Sequence, residues 1–232
     1  MSHDHHDAIV TPTPAGFKPH TVAHHFGTAT QEYAAGKFAM WLFLVTEVLL
    51  FGGLFAGYMI YKDMYPETFV AGGNQLNWQL GTLNTVFLLT SSLTMALGVR
   101  AAQLANKRQM LLQLGVTIVL AGAFMVVKYF EYKAKYDHGF LPGYLFHPHA
   151  GFTDVFAGLP FPNLYFSFYF TMTGIHGFHV LVGMFLIGWL MWGGSKGRYH
   201  SGYYMPVELV GLYWHIVDLI WIFLFPLLYL VP

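Results

Sequence analysis

The sequence contains no cysteine and little charge, with 11 Lys plus Arg and 11 Asp plus Glu in 232 residues, 9% in all. Without cysteine there is no disulfide, no thiolate metal site and no thiol nucleophile, so any metal would rest on His, Asp, Glu or Met. Equal acids and bases leave no basic excess for nucleic acid. Soluble domains carry about 25% charged residues. At 9% charged and 56% hydrophobic, this is the composition of a membrane protein. The opening MSHDHHDAIV lacks the basic start and apolar core of a signal peptide, so targeting is expected to lie in the spans themselves. Internal repeats are not evident.

What is present is a set of long apolar runs. Lys37 to Lys62 encloses 24 residues of which one, Glu47, is ionisable at neutral pH. A bilayer needs about 20 apolar residues in a helix. Further runs cover about 78–105, 110–133, 163–192 and 207–230. The expected fold is all-α: a five-helix transmembrane domain over 36–232, preceded by a flexible His-rich tail over 1–35. The tail histidines His3, His5, His6, His20, His24 and His25 read as a solvated segment, because a metal site needs fixed geometry. Seven bases flank one side of the spans (Lys18, Lys37, Arg100, Lys107, Arg108, Lys196, Arg198) and four the other (Lys62, Lys128, Lys133, Lys135). The positive side faces the cytoplasm, so the N-terminus is expected cytoplasmic and the C-terminus periplasmic.

Polar residues inside the runs are the candidates for function or packing. Glu47 lies roughly 15 Å deep, His179 about 20 Å and His215 about 12 Å from the cytoplasmic ends by the helical rise, so the three are expected to meet within a turn or two. His176, His179 and Gly183 share one face of span four, and His215 and Asp218 share a face of span five. Such groups are tolerated in hydrocarbon only when they satisfy one another, so they are expected to face protein. Asn84, Thr85, Thr90, Ser91, Ser92 and Thr94 of span two are expected to bridge helices, and Gly53 with Gly57 to let another helix approach closely. Lys128 and Glu131, three apart, are expected to pair at the outer interface, with Tyr129 and Tyr132 in the aromatic belt. The loop 134–161 is expected to lie along the interface. Three readings of the buried polar layer stay open: a network that locks helices together, a protonatable or lipid-contacting site centred on Glu47, and haem or metal ligation by His176, His179 and His215.

WLFLVTEVLLFGGLFAGY, LGTLNTVFLLTSSLT, VVKYFEY, TGIHGFHVLVG and YWHIVDLIWIFLF occur in one order. Together they resemble subunit III of the haem–copper terminal oxidases, the cytochrome c oxidase subunit III family, over about residues 36–230. The family's buried glutamate matches Glu47. Its His-x-x-His pair matches His176 and His179, its Glu-Tyr pair Glu131 and Tyr132, and its Tyr-Trp-His-x-Val-Asp run Tyr213, Trp214, His215, Val217 and Asp218.

The resemblance implies a helical accessory subunit with no redox centre, catalytic residue or metal of its own. It would bind subunit I, which carries haems and copper, beside subunit II, in a bacterial inner membrane and within any respiratory supercomplex. Its implied roles are to support proton uptake into subunit I, to protect the oxidase from turnover inactivation and to hold phospholipid. Tyr213 and Trp214 are then helix-packing residues. The longer family form has two more N-terminal helices that make a lipid-filled cleft; this chain resembles the short form, with the tail in their place. The EVLLFGGLF pattern leans towards a cytochrome c donor. The alternatives are subunit III of a quinol oxidase or nitric-oxide-reductase relative and, in a different class, an independent bis-His haem cytochrome.

Overall fold

The computed structural model describes residues 13–149 and 153–230, and His3, His5 and His6 lie outside them. Six α-helices follow in order: α1 (Ala29–Met64), α2 (Pro66–Gly73), α3 (Trp78–Gln103), α4 (Lys107–Asp137), α5 (Leu164–Ser195) and α6 (Met205–Phe225), the last prolonged by a π-turn over Pro226–Leu230. Among the described residues there is no β-strand. Five of these helices (all but α2) are long and apolar enough to cross a membrane. Large apolar side chains on them stand open to the surroundings, among them Leu49, Val119 and Phe185 at 69%, 71% and 75% exposure. Such faces suit a hydrocarbon solvent.

The helix ends depart from the apolar runs because capping sets them. Thr28 accepts from the Gln31 N–H, so α1 starts at Ala29, well before the apolar run that begins at Phe38. Asn77 and Asn106 cap α3 and α4 in the same way. Pro226 lacks an N–H, and the last expected span stops being α-helical at Phe225.

Buried positions on α4 are Met110, Leu114, Thr117, Ala121, Phe124, Lys128, Glu131 and Lys135, alternately four and three apart. That is the stripe of a helix buried on one side. Similar stripes on α3, α5 and α6 close a ring in which α3 packs on α4, α4 on α5, α5 on α6 and α6 on α3. α1 lies outside this ring against α6 and α5, and buries only Leu44, Glu47, Phe51 and Tyr58. The described residues between α4 and α5 are packed onto the bundle: Phe140 stacks on Phe166 at 4.8 Å, and Phe146 and Phe156 complete the cluster.

Close helix approach falls elsewhere than the Gly53–Gly57 pair. A side chain at Gly53 would meet nothing within 4 Å, and one at Gly57 only the Phe168 ring at 3.7 Å, because this face of α1 turns away from the bundle. Gly183 instead lies under Trp214, where an added Cβ would stand 2.7 Å from the indole ring. Gly183→Ala is expected to lower stability by about 1–3 kcal/mol through overpacking. Gly53→Ala should leave it unchanged. Thermal unfolding of the two variants side by side measures the difference.

Candidate functional site

Three helices meet at Glu47. Its carboxylate comes from the narrow buried stripe of α1 and lies 2.9 Å from Nε2 of His179 on α5. The approach is a close charge contact, off the line of a well-directed hydrogen bond. The other ring nitrogen, Nδ1, lies 2.8 Å from the Ile175 carbonyl. A carbonyl only accepts, so Nδ1 carries a proton. Nε2 is the ring nitrogen that faces the carboxylate. Tyr213 of α6 donates to the His179 carbonyl at 2.9 Å, and Phe51 meets the imidazole edge-on at 5.6 Å.

The other sequence-selected residues do not join this contact. His215 is half-buried and turns to α3, with Nδ1 2.7 Å from the Ser92 hydroxyl, instead of meeting Glu47. His176 sits between Phe124 at 5.7 Å and Trp221 at 5.3 Å. Both of its ring nitrogens, both amide atoms of Asn84 and Oδ1 of Asp218 are buried without a hydrogen-bond partner among the described residues. The three intramembrane imidazoles therefore face three different sets of neighbours. No group of three His, Asp or Glu able to hold a metal ion is gathered among the described residues.

The span-two hydroxyls make the seam between α3 and its neighbours. Trp214 Nε1 donates to Ser91 at 3.1 Å, Trp221 Nε1 donates to Thr85 at 3.0 Å, and Thr94 pairs with Thr117 of α4 at 2.8 Å. Thr90 bonds the Val86 carbonyl of its own helix.

Lys128 and Glu131 pair at 3.0 Å, inside the bundle and not at its rim, with side-chain exposures of 8% and 3%. Both belong to the buried stripe of α4, which carries them inward. Tyr229 of the π-turn donates to Glu131 at 2.6 Å and accepts from Lys128 at 2.8 Å. The ammonium stands 4.9 Å from the Trp221 ring centre, with Tyr169, Tyr229 and Tyr132 around it. Tyr129 is exposed, whereas Tyr132 turns inward to the Thr173 hydroxyl. Farther along the same stripe Lys135 donates to the Gln75 carbonyl. Sequence reasoning missed Tyr229 and Tyr169 in this cluster. The signal available for Tyr229 is Pro226, which forces the chain end out of the α-helix.

The arrangement thus has two contacts between ionisable side chains, one tying α1 to α5 and one buried inside the ring, with a hydroxyl-indole seam between α3 and α6. A scan against family models matches cytochrome c oxidase subunit III over residues 20–140 and 161–231, which contain both ionisable pairs and the seam. The chain belongs to the cytochrome c oxidase subunit III family. It is 32% identical over 194 residues to cytochrome c oxidase subunit 3 of Synechocystis sp., covering 83% of this chain and 74% of that one. It is 32% identical over 190 residues to that of Thermostichus vulcanus, covering 82% and 84%. A haem–copper oxidase subunit I+III of Aeropyrum pernix is 30% identical over 203 residues, covering 83% of this chain and 22% of that protein. As a subunit III, the chain is a multi-pass membrane protein of a haem–copper oxidase complex and belongs to aerobic respiratory electron transport.

Proposed function

We propose that the chain is the accessory subunit III of a proton-pumping cytochrome c oxidase in a bacterial inner membrane. It docks on subunit I, with subunit II in the same complex, stabilises subunit I and supports its proton uptake. The haems and copper belong to those partners, and this chain contributes helices, polar contacts and bound phospholipid. Support for the docking comes from the Aeropyrum relative, whose name joins subunits I and III in one polypeptide. The seven-to-four distribution of bases supports a cytoplasmic N-terminus, on the side where protons enter.

The observation that carries the proton-related role is the contact of Glu47 with His179. A carboxyl and an imidazole in contact inside the membrane are costly to maintain and are a mark of function there. His176, His215 and Asp218 support this node as packing groups, through Trp221, Ser92 and the α3–α6 seam.

The test compares the oxidase complex with and without this chain. The complete enzyme is expected to sustain turnover and cytoplasmic proton uptake, and the depleted enzyme to inactivate after fewer turnovers with slower uptake. Full turnover stability and unchanged uptake in the depleted enzyme would refute the role.

A further inference from the structure

The segment before α1 is strapped over the α5–α6 turn. The Lys18 N–H donates to the Gly197 carbonyl at 2.9 Å. The His20 ring stacks on Tyr203 with centres 3.5 Å apart, and its Nε2 lies 2.9 Å from Glu32 of α1. Phe17 meets the His200 ring edge-on at 5.7 Å, and Val22 is buried. Gly197 has φ +70°, and a side chain there would stand 3.2 Å from the Gly16 carbonyl oxygen. Through His20 and Glu32 the strap also holds the start of α1, the helix that carries Glu47.

His200 is the titratable group under this strap, with its side chain fully buried. Its Nδ1 accepts from the Gly202 N–H at 3.1 Å. A ring nitrogen that accepts carries no proton, so the neutral ring holds its one proton on Nε2. Nε2 is buried and has no hydrogen-bond partner among the described residues. A second proton has to go on Nδ1, where it would point donor to donor at the Gly202 N–H. The imidazolium therefore cannot keep this bond, and a charge buried here without a partner is costly until water reaches it. Burial holds His200 below the ordinary histidine value of 6.5; His20 adds to this and the Lys18 backbone opposes it.

The charged groups around the strap do not offset that cost. Glu32 is engaged by His20, and Glu208 of α6 by Lys37 and Tyr33. Lys18 and Arg198 line the cavity between strap and turn, and Lys196 lies over the Trp192 ring of α5. Tyr199 and Tyr203 are the remaining titratable groups of the turn; burial raises both, so they stay neutral.

We propose that His200 is a proton-operated latch: a neutral ring keeps the segment before α1 seated, and a second proton breaks the Gly202 bond and lifts that segment from the α5–α6 turn. The seated state takes up the proton less readily than the lifted one. Seating is therefore complete above about pH 6.5 and weakens as the pH falls below it, by at most about tenfold per pH unit for one proton. A proton on His20 works the other way, because it strengthens the contact with Glu32. The latch goes beyond the accessory role proposed above and does not depend on which way the chain crosses the membrane.

The experiment follows amide hydrogen exchange at residues 16–22 in the oxidase complex in nanodiscs, with exchange times scaled for the intrinsic effect of pH. In wild type, protection of the Lys18 amide is expected to fall roughly 5- to 10-fold between about pH 6.5 and 5.5. His200→Asn keeps an acceptor oxygen near the place of Nδ1 and cannot titrate, so its protection should stay flat. His20→Gln should keep the wild-type fall. A flat wild type, a fall that survives in His200→Asn, or a fall abolished equally by His20→Gln overturns the latch. Exchange of the His200 ring C2 hydrogen, read on wild type alone, keeps the test decisive if His200→Asn fails to seat the strap at neutral pH. Its titration midpoint is expected below 6.5, and a midpoint at or above 6.5 overturns the latch.

Discussion

Lys128→Met is expected to be the most damaging single substitution in the bundle, costing roughly 3–5 kcal/mol. The methionine fills much of the space of the lysine stem but leaves the Glu131 carboxyl at 3% exposure without its cation, beside Tyr229 and Tyr169. Water cannot reach it. The four rings around Lys128 also lose the cation they face. The opposite expectation holds for the double change Lys128→Met/Glu131→Leu, because a buried ion pair replaced by apolar groups of similar volume is often neutral. The midpoint temperature at which this chain leaves the detergent-solubilised complex should drop sharply for Lys128→Met and recover most of the loss in the double variant. A double variant as weak as the single one would mean that packing of the lysine stem, and not the charge pair, holds this region.

Glu47 should separate shape from charge. Glu47→Gln keeps the volume and one acceptor oxygen towards His179, and the chain is expected to assemble as before. Glu47→Ala leaves Nε2 of a part-buried imidazole facing a void, at a cost of about 1–3 kcal/mol. The effect should concentrate on α1, which touches the bundle through one thin stripe and a few polar clasps. Those clasps are Glu47 to His179, Tyr58 to the Leu227 carbonyl at 3.0 Å, and Glu208 to Lys37 at 2.8 Å. Hydrogen exchange across residues 40–55 is expected to quicken roughly 5- to 150-fold in Glu47→Ala and hardly at all in Glu47→Gln. Equal exchange in Glu47→Ala and wild type would argue that the carboxylate is unpaired and faces water or lipid headgroups.

The number of spans is legible in the sequence because hydrocarbon imposes one coarse rule, a long apolar run. Their ends are not, because ends depend on single capping groups such as Thr28 and Asn106, which hydropathy does not weigh. The polar layer is half legible. Burial in a membrane demands partners, and that argument pairs Lys128 with Glu131 by spacing alone. Depth along parallel cylinders brings Glu47 to the level of His179, but it cannot say which way a ring turns. His215 and Asp218 share a face, yet rotation of α6 sends His215 to Ser92. The Gly53–Gly57 pair has the spacing for close helix approach, but its face is the open side of α1. Trp214 and Trp221, seven residues apart on one face of α6, fix that helix against Ser91 and Thr85. A heptad reading of the tryptophans would have found this seam without coordinates.

The most direct test is recovery of the chain itself. Purified by a tag from native membranes in mild detergent, it should bring down a haem–copper subunit I in one-to-one ratio, with all iron and copper on the partner chains. Recovery of the polypeptide alone, or with iron or copper bound to its own histidines, would contradict a role as a metal-free helical subunit of the oxidase.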